Sequence, residues 1–381
     1  MSENYMLKET LSFPSLFEEI FPALEKETAS AIPDSVLTQI DSVYLYGSGD
    51  SLNAAVCVAQ AFWNFAKLPA YPVPAMLASR YIAPSITAER AARTLTICIS
   101  TSGEASRSVE ASMSLAAAKC RTAAITAVPD SRAARAAEHV ITAKIPPFPS
   151  APMPIPGIRS FAPPVIGLML LAIHTGVLRG VLSAQEAQTL REELRAQKDI
   201  LQDAFTRCGG TLQAFAKQCG EAQRMEFIAT GPCRGAADFG VSKVLEAQGY
   251  SVLSQDTEEF AHQTFFSNDT HHLPTVLIMP SQSRSLSRSR EILEVLHHLE
   301  RPVLVLTDDP AALEGSPSTS SVCLSRPVQE EFSALVFACL MTYLASVIPL
   351  RDGDTYMHGH SGVYTEDDIP TVRNSGLEVV Q

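Results

Sequence analysis

The chain has 381 residues, 46% hydrophobic and 18% charged, with a formal net charge of -12. That length suits two ordinary domains with their own cores, and the acidic balance argues against nonspecific nucleic-acid binding, which needs a basic surface to release counterions. No apolar stretch reads as long enough to span a bilayer, and the first residues lack the basic-then-apolar pattern of a secretion signal, so the expectation is a soluble cytoplasmic protein without membrane contact. Eight cysteines, among them Cys57, Cys98, Cys120 and Cys339, mostly fall in apolar patterns without paired spacing. Buried reduced thiols are expected rather than zinc or a disulfide framework.

In chain order, residues 7–37 read as helical, with Phe17, Ile20, Phe21 and Leu24 near helical spacing. A strand at 42–46 runs into the turn Gly47-Ser48-Gly49-Asp50-Ser51, followed by a helix over 52–65. Short strands at 70–73, 94–99, 122–127 and 140–145 alternate with helical stretches, the pattern of a doubly wound parallel sheet. Directly after the strand at 94–99 comes Ser100-Thr101-Ser102-Gly103-Glu104, and directly after that an Ala-rich helical segment. Hydroxyls and free amides at a helix N-terminus favour a bound anion such as phosphate.

The Pro-rich run over 146–156 ends the first domain, since proline fits neither helix interior nor central strand. Residues 161–219 read as connecting helices with turns near Gly180 and Gly209-Gly210. The second half then repeats the first, with strands at 226–230, 250–253, 275–279 and 302–307, a turn at Gly231, and helices over 236–248 and from Arg288. Ser281-Gln282-Ser283 follows its strand as Ser100-Thr101-Ser102 does, and Gly231 precedes it by nearly the interval that separates Gly47 from Ser100. Superposed, Ser106, Arg107, Ser108 and Glu110 meet Ser287, Arg288, Ser289 and Glu291, which reads as a duplication. The expected division is 1–41 N-terminal helices, 42–157 first domain, 158–222 connecting helices, 223–349 second domain and 350–381 tail.

A glycine-rich turn after the first strand and a Ser-x-Ser-Gly-Glu loop after a later one resemble the sugar isomerase (SIS) family of phosphosugar-binding domains. The resemblance covers roughly residues 42–348, and a chain with two such domains looks like the isomerase half of glucosamine-6-phosphate synthase and like the fructosamine 6-phosphate deglycases. It implies an α/β fold of two tandem SIS domains, each a parallel sheet flanked by helices in a flavodoxin-like three-layer sandwich. It also implies that Ser100, Thr101 and Ser102, with Ser51 and the turn glycine Gly49 beside them, hold the phosphate of a hexose 6-phosphate or its amine adduct. The family usually has threonine after Gly-Glu, whereas this chain has Ala105.

In the same resemblance the catalytic base is a glutamate on the first helix of the second domain, matched by Glu246, and the ring-opening histidine lies in a Glu-x-x-His context, matched by Glu259-Phe260-Ala261-His262. Shifting a carbonyl or imine between C1 and C2 requires removal of a carbon-bound proton, for which a partly desolvated carboxylate suits, and histidine transfers protons near neutral pH. No metal or organic cofactor is needed. The chain has no lysine after Lys243 to match the aminotransferase's C-terminal lysine, and neither an N-terminal cysteine nucleophile nor a glutaminase domain is read. A deglycase therefore fits better than amidotransfer from glutamine.

Simpler readings stand beside these. Ser100 and Ser102 could be ordinary N-caps, worth around 1 kcal/mol each, and the copy at Ser281 and Ser283 is read as structural because Arg284 replaces the glycine. Lys243 could simply pair with Glu246, and Glu259 could either orient His262 or be surface charge. His271-His272, His297-His298 and His358-Gly359-His360 lack carboxylates at persuasive metal-binding spacing. Tyr356 and His358 are candidate contacts if the tail lies over the site. An aldose-ketose isomerase, an amino-sugar phosphate deaminase and a noncatalytic phosphosugar sensor remain open, and a homodimer or larger assembly with sites between subunits is implied by the resemblance.

Overall fold

The computed structural model describes residues 4–148, 155–316, 319–351 and 369–379. Helices α1 (Tyr5–Leu11), α2 (Phe13–Thr28) and α3 (Asp34–Gln39) lead into strand β1 (Ser42–Gly47) and helix α4 (Asp50–Phe65). There follow β2 (Ala70–Pro74), α5 (Ala75–Leu77), a π-helical turn (Ala78–Ile82), α6 (Ala88–Ala92), β3 (Thr94–Ile99), α7 (Ser106–Ala117), β4 (Arg121–Thr126), α8 (Arg132–Arg135) and β5 (His139–Thr142). The five strands form one parallel sheet in the order β2-β1-β3-β4-β5. Every residue of β3 is buried, as expected of a central strand covered on both faces, while edge strands β2 and β5 are only partly buried.

Three helices follow: α9 (Ile158–Leu178), α10 (Ala184–Arg195) and α11 (Gln197–Ala222). The turn expected at Gly180 is present, but Gly209-Gly210 lies inside α11 and is no turn. A Cβ on Gly209 would stand 2.7 Å from the Tyr343 hydroxyl, so this glycine serves close helix packing instead.

A second parallel sheet is built from β6 (Arg224–Ile228), α12 (Pro232–Gln248), β7 (Ser251–Gln255), α13 (Thr257–His262), β8 (Thr275–Met279), α14 (Leu286–His298), β9 (Val303–Thr307) and β10 (Ser320–Cys323), with α15 (Glu330–Val347) after it. Its order, β7-β6-β8-β9-β10, is that of the first sheet element for element. The Arg107–Glu110 ion pair on α7 recurs as Arg288–Glu291 on α14, as the superposed sequences suggested. Strand β10 and helix α15 have no counterpart among the elements read from the sequence.

The chain divides into two compact units, each of which recruits sequence from outside its own half. The first-sheet unit takes residues 16–147, 159–195 and 365–381; the second-sheet unit takes residues 1–15, 148–158 and 196–364. Thus α9 and α10 belong with the first sheet, where a Cβ on Gly167 would come within 2.9 Å of Ile125. In the other unit α1 and α11 pack on α15.

Two helices correct the expectation that no stretch could span a bilayer. Ile158–Leu178 and Glu330–Val347 are long and apolar enough by length and composition, but 83% and 89% of their apolar windows are buried within the protein. A helix that is apolar all round is what a core requires. All eight cysteines are free, seven of them buried.

Candidate functional site

The first sheet changes winding direction between β1 and β3, which pair directly, Tyr46 beside Cys98. The segments leaving these two strands therefore emerge side by side, at the position where open parallel sheets bind ligands. A Cβ on Gly47 would lie 2.5 Å from the Ser51 Cβ and 3.0 Å from the Ile99 carbonyl, which places the first turn of α4 against the end of β3. Gly49 takes φ 56° at the α4 N-cap, with open space where a side chain would point. Ser51 is partly exposed, and among the described residues its hydroxyl has no hydrogen-bond partner.

The loop after β3 is braced from beneath. The Ser100 amide donates to the Ile125 carbonyl at 3.1 Å, the Thr101 carbonyl accepts the Ala127 amide at 3.0 Å, and the Gly103 carbonyl accepts the Ala133 amide at 3.0 Å. Gly103 has φ 64°, and a Cβ there would stand 1.9 Å from the Ser131 Oγ, so only glycine fits. The Ser100 and Ser102 hydroxyls accept the amides of Gly103 at 3.1 Å and Glu104 at 3.2 Å. Their hydroxyl protons remain for an anion. The Thr101 hydroxyl is turned elsewhere and donates to the Ser160 carbonyl at 3.0 Å, so of this residue only the backbone is offered to a ligand. Glu104 accepts the Arg132 amide at 2.9 Å and its Nε at 2.6 Å, and these bonds hold its carboxyl below the ordinary glutamate range. It is a brace of the loop.

Ala105 occupies the α7 N-cap and supplies no side-chain cap. The Ser106 hydroxyl next to it is fully buried and has no hydrogen-bond partner among the described residues. The Ser106 amide, the first of the helix, donates to the Val372 carbonyl at 2.8 Å, so the segment 369–379 reaches the loop. Tyr356 and His358 lie outside the described residues.

The second sheet's equivalent loop is filled by the protein itself. Asp308 accepts the Ser281 amide at 2.6 Å and the Val328 amide at 2.7 Å, and Glu330 accepts the Arg284 amide at 3.2 Å. Two carboxylates thus hold the amides of this loop, whereas in the first copy the Ser100 and Ser102 hydroxyls accept the loop amides.

On α12, Glu246 is 43% exposed and its carboxylate meets the Lys243 ammonium at 2.7 Å; Lys243 itself is 1% exposed and lies over the Phe239 ring. The desolvated base expected from sequence is here a half-exposed, ion-paired carboxylate. His262 ends α13, 67% exposed, with its Nε2 3.0 Å from Glu258. The carboxylate on the histidine is therefore Glu258, one helical turn back, while Glu259 accepts from Gln263. His262 and then Arg288, whose Nε is 2.7 Å away, hold the Glu258 carboxyl below its ordinary range.

Sequence reading missed the residues that fix α13. The fully buried pair Glu226–Arg301 is joined by Thr264, whose hydroxyl donates to Glu226 and whose carbonyl accepts Arg301 at 2.7 Å, and the Arg301 guanidinium lies 5.0 Å from the centre of the Phe260 ring. A charge inside the strand β6 was the available signal. Away from the loops, a cavity of about 500 Å³ opens at the opposite, N-terminal end of strands β1 and β3, lined by Asp41, Ser42, Tyr71, Arg90 and Thr94. It touches none of the candidate residues.

Residues 36–170 match the SIS domain family. The glutamine–fructose-6-phosphate aminotransferase (isomerizing) of Zymomonas mobilis is 23% identical over 361 residues, 92% of this chain and 57% of that protein. The chain spans about half the length of the curated relatives it matches. Among solved structures, the C-terminal domain of glucosamine-fructose-6-phosphate aminotransferase from Francisella tularensis superposes with a TM-score of 0.76 at 18% identity, covering 90% of this chain and 95% of that one. Tagatose-6-phosphate ketose/aldose isomerase from Escherichia coli gives 0.68 at 15% identity, covering 90% and 92%. The switch-point loop lies within the residues that match the SIS domain family, and the chain shares the fold of these two structures.

Proposed function

We propose that the protein is a sugar-phosphate enzyme built from two tandem SIS domains, with the first loop holding the phosphate and the second half supplying the proton chemistry. The observation that carries this reading is the first-sheet loop. Ser51, Ser100 and Ser102 present hydroxyls at the switch point, and α7 starts there with a buried, unpartnered Ser106 hydroxyl. The second loop holds the Asp308 and Glu330 carboxylates, which disfavour an anion there, and this supports reading the first loop as the phosphate position.

The finer reading is deglycation of a fructosamine 6-phosphate. Glu246 takes a proton from C1 of the ketoamine, and return of a proton at C2 leaves a hydroxyl there and an aldimine at C1. Water then adds to the C1=N bond, releasing the amine and an aldose 6-phosphate. His262 opens the sugar ring by passing a proton, and proton transfer of this kind contributes about 10²–10⁴-fold. For Glu246 to act as a base, Lys243 must release it or move with it when substrate binds. A homodimer is proposed as the working assembly, with a dimer mass in light scattering as its check.

The test is incubation with fructosamine 6-phosphates and hexose 6-phosphates, following amine and aldose release, with Glu246→Gln and His262→Asn in parallel. Release by the unaltered chain and its loss in both variants is expected. Interconversion of aldose and ketose phosphates without amine release would favour the isomerase reading, and binding without turnover would leave a sensor.

A further inference from the structure

The C-terminal segment is anchored along the same helix end that the phosphate would use. Besides the Val372 carbonyl on the Ser106 amide, the Arg373 carbonyl accepts Arg132 at 3.3 Å and the Ser375 hydroxyl accepts Arg107 at 3.3 Å, with the Gly376 carbonyl accepting the same guanidinium. The Glu378 amide donates to Glu110 at 2.7 Å and its carboxylate meets Arg80 at 2.9 Å. Glu110 is fully buried beneath this last anchor, held by Arg80, Arg107 and the Ser79 hydroxyl. A turn closed by Asn374, which takes the Thr371 amide at 2.8 Å and donates to the Ile369 carbonyl at 2.7 Å, shapes the segment where it meets α7.

All of these anchors are polar, and of the segment's apolar side chains Ile369, Pro370, Val372 and Leu377 are exposed, with Val379 alone partly buried. Polar contacts at a surface are individually weak in net terms, so the segment is held in register without being locked. Its position is also that of an anion. A carbonyl oxygen caps the first amide of α7, where Ala105 supplies no cap, and a carboxylate sits on Arg80. The helix dipole favours a full negative charge over a carbonyl at that amide.

We propose that residues 369–379 are a displaceable strap that stands in for phosphate at the α7 N-terminus, so that a phosphorylated ligand and the strap compete for the Ser106 amide. This rests on reading the Ser100–Ser106 loop as the phosphate site. The buried Ser106 hydroxyl, unpartnered while the strap is seated, becomes a ligand group once the strap has lifted. The strap lowers apparent affinity by the fraction of molecules in which it is closed, and selects ligands whose phosphate outcompetes a carbonyl.

The test is calorimetric titration of inorganic phosphate into the full chain, the chain ended after residue 368, and the full-length variant Glu378→Arg, which sets like charge against Arg80. Ending the chain at 368 is expected to tighten phosphate binding roughly tenfold, and Glu378→Arg roughly threefold, as the closed fraction falls. Equal affinity in all three overturns the strap while leaving the loop as the phosphate site. Weaker binding in the shortened chain and in Glu378→Arg also overturns it, and makes the segment part of the binding surface. Absence of phosphate binding in every form removes the loop reading and the strap with it.

Discussion

At the scale of single residues the loop depends on Gly103. Its positive φ and the 1.9 Å approach of a substituent to Ser131 leave no room for a side chain. Gly103→Ala is expected to lose about 1–3 kcal/mol in urea denaturation and to abolish phosphate binding; unaltered stability would mean the loop is not held as described. Acid sensitivity follows from carboxylates held below the ordinary glutamate value of 4.5. For Glu104 the cause is Arg132; for Glu110 burial pushes upward, but Arg80, the Glu378 amide and Ser79 outweigh it. Because the folded values are depressed, the unfolded chain takes up protons first as pH falls. The stabilisation is fully present above the unfolded value and is lost through the lower folded ones. Unfolding midpoints are therefore expected to hold from about pH 8 to 5 and fall below about 4.5, with a shallower fall in Glu104→Gln; the same slope in that variant would contradict the role given to Arg132. The sequence made Ser100, Ser102 and Gly103 legible because hydroxyls after an apolar strand carry a local meaning. It could not show that Thr101 turns to Ser160 or that Glu258 and not Glu259 reaches His262, since both outcomes depend on side-chain direction.

At the scale of elements, strands at Thr94–Ile99 and Thr275–Met279 were read to the residue, because fully buried parallel strands are short apolar runs bounded by turn residues. Helix α15 went unread since it is buried on all sides and shows no polar face, and β10 because it is a four-residue edge strand. The Gly209-Gly210 pair misled in an instructive way. Adjacent glycines signal a turn locally, yet the facing Tyr343 makes one of them a contact residue in a continuous helix. Two substitutions separate these meanings. At Gly210 a methyl group would meet nothing within 4 Å, so Gly210→Ala should gain about 0.5–1 kcal/mol. Gly209→Val should lose about 1–3 kcal/mol by overpacking against Tyr343. A loss on Gly210→Ala in chemical denaturation would argue for a turn after all.

At the scale of the whole molecule, two sheets of the same order carry two unequal loops. The first has its helix end met by the Val372 carbonyl of the C-terminal segment, and the second has closed its own with the Asp308 and Glu330 carboxylates. The repeat was visible in sequence through Ser281 and Ser283, but not the filling, because Asp308 and Glu330 arrive from after β9 and from the start of α15. Nor did sequence order reveal that each unit is completed by a distant terminus, α1 with the second sheet and residues 369–379 with the first. The central claim is that the Ser100–Ser106 loop holds a sugar phosphate. Calorimetric titration of fructose 6-phosphate and of fructose into the full chain and Ser102→Ala tests it most directly. Saturable binding of the phosphate ester alone, weakened roughly tenfold in Ser102→Ala as a charge-assisted hydrogen bond is lost, is the predicted result; equal binding of fructose, or affinity indifferent to Ser102, would contradict it.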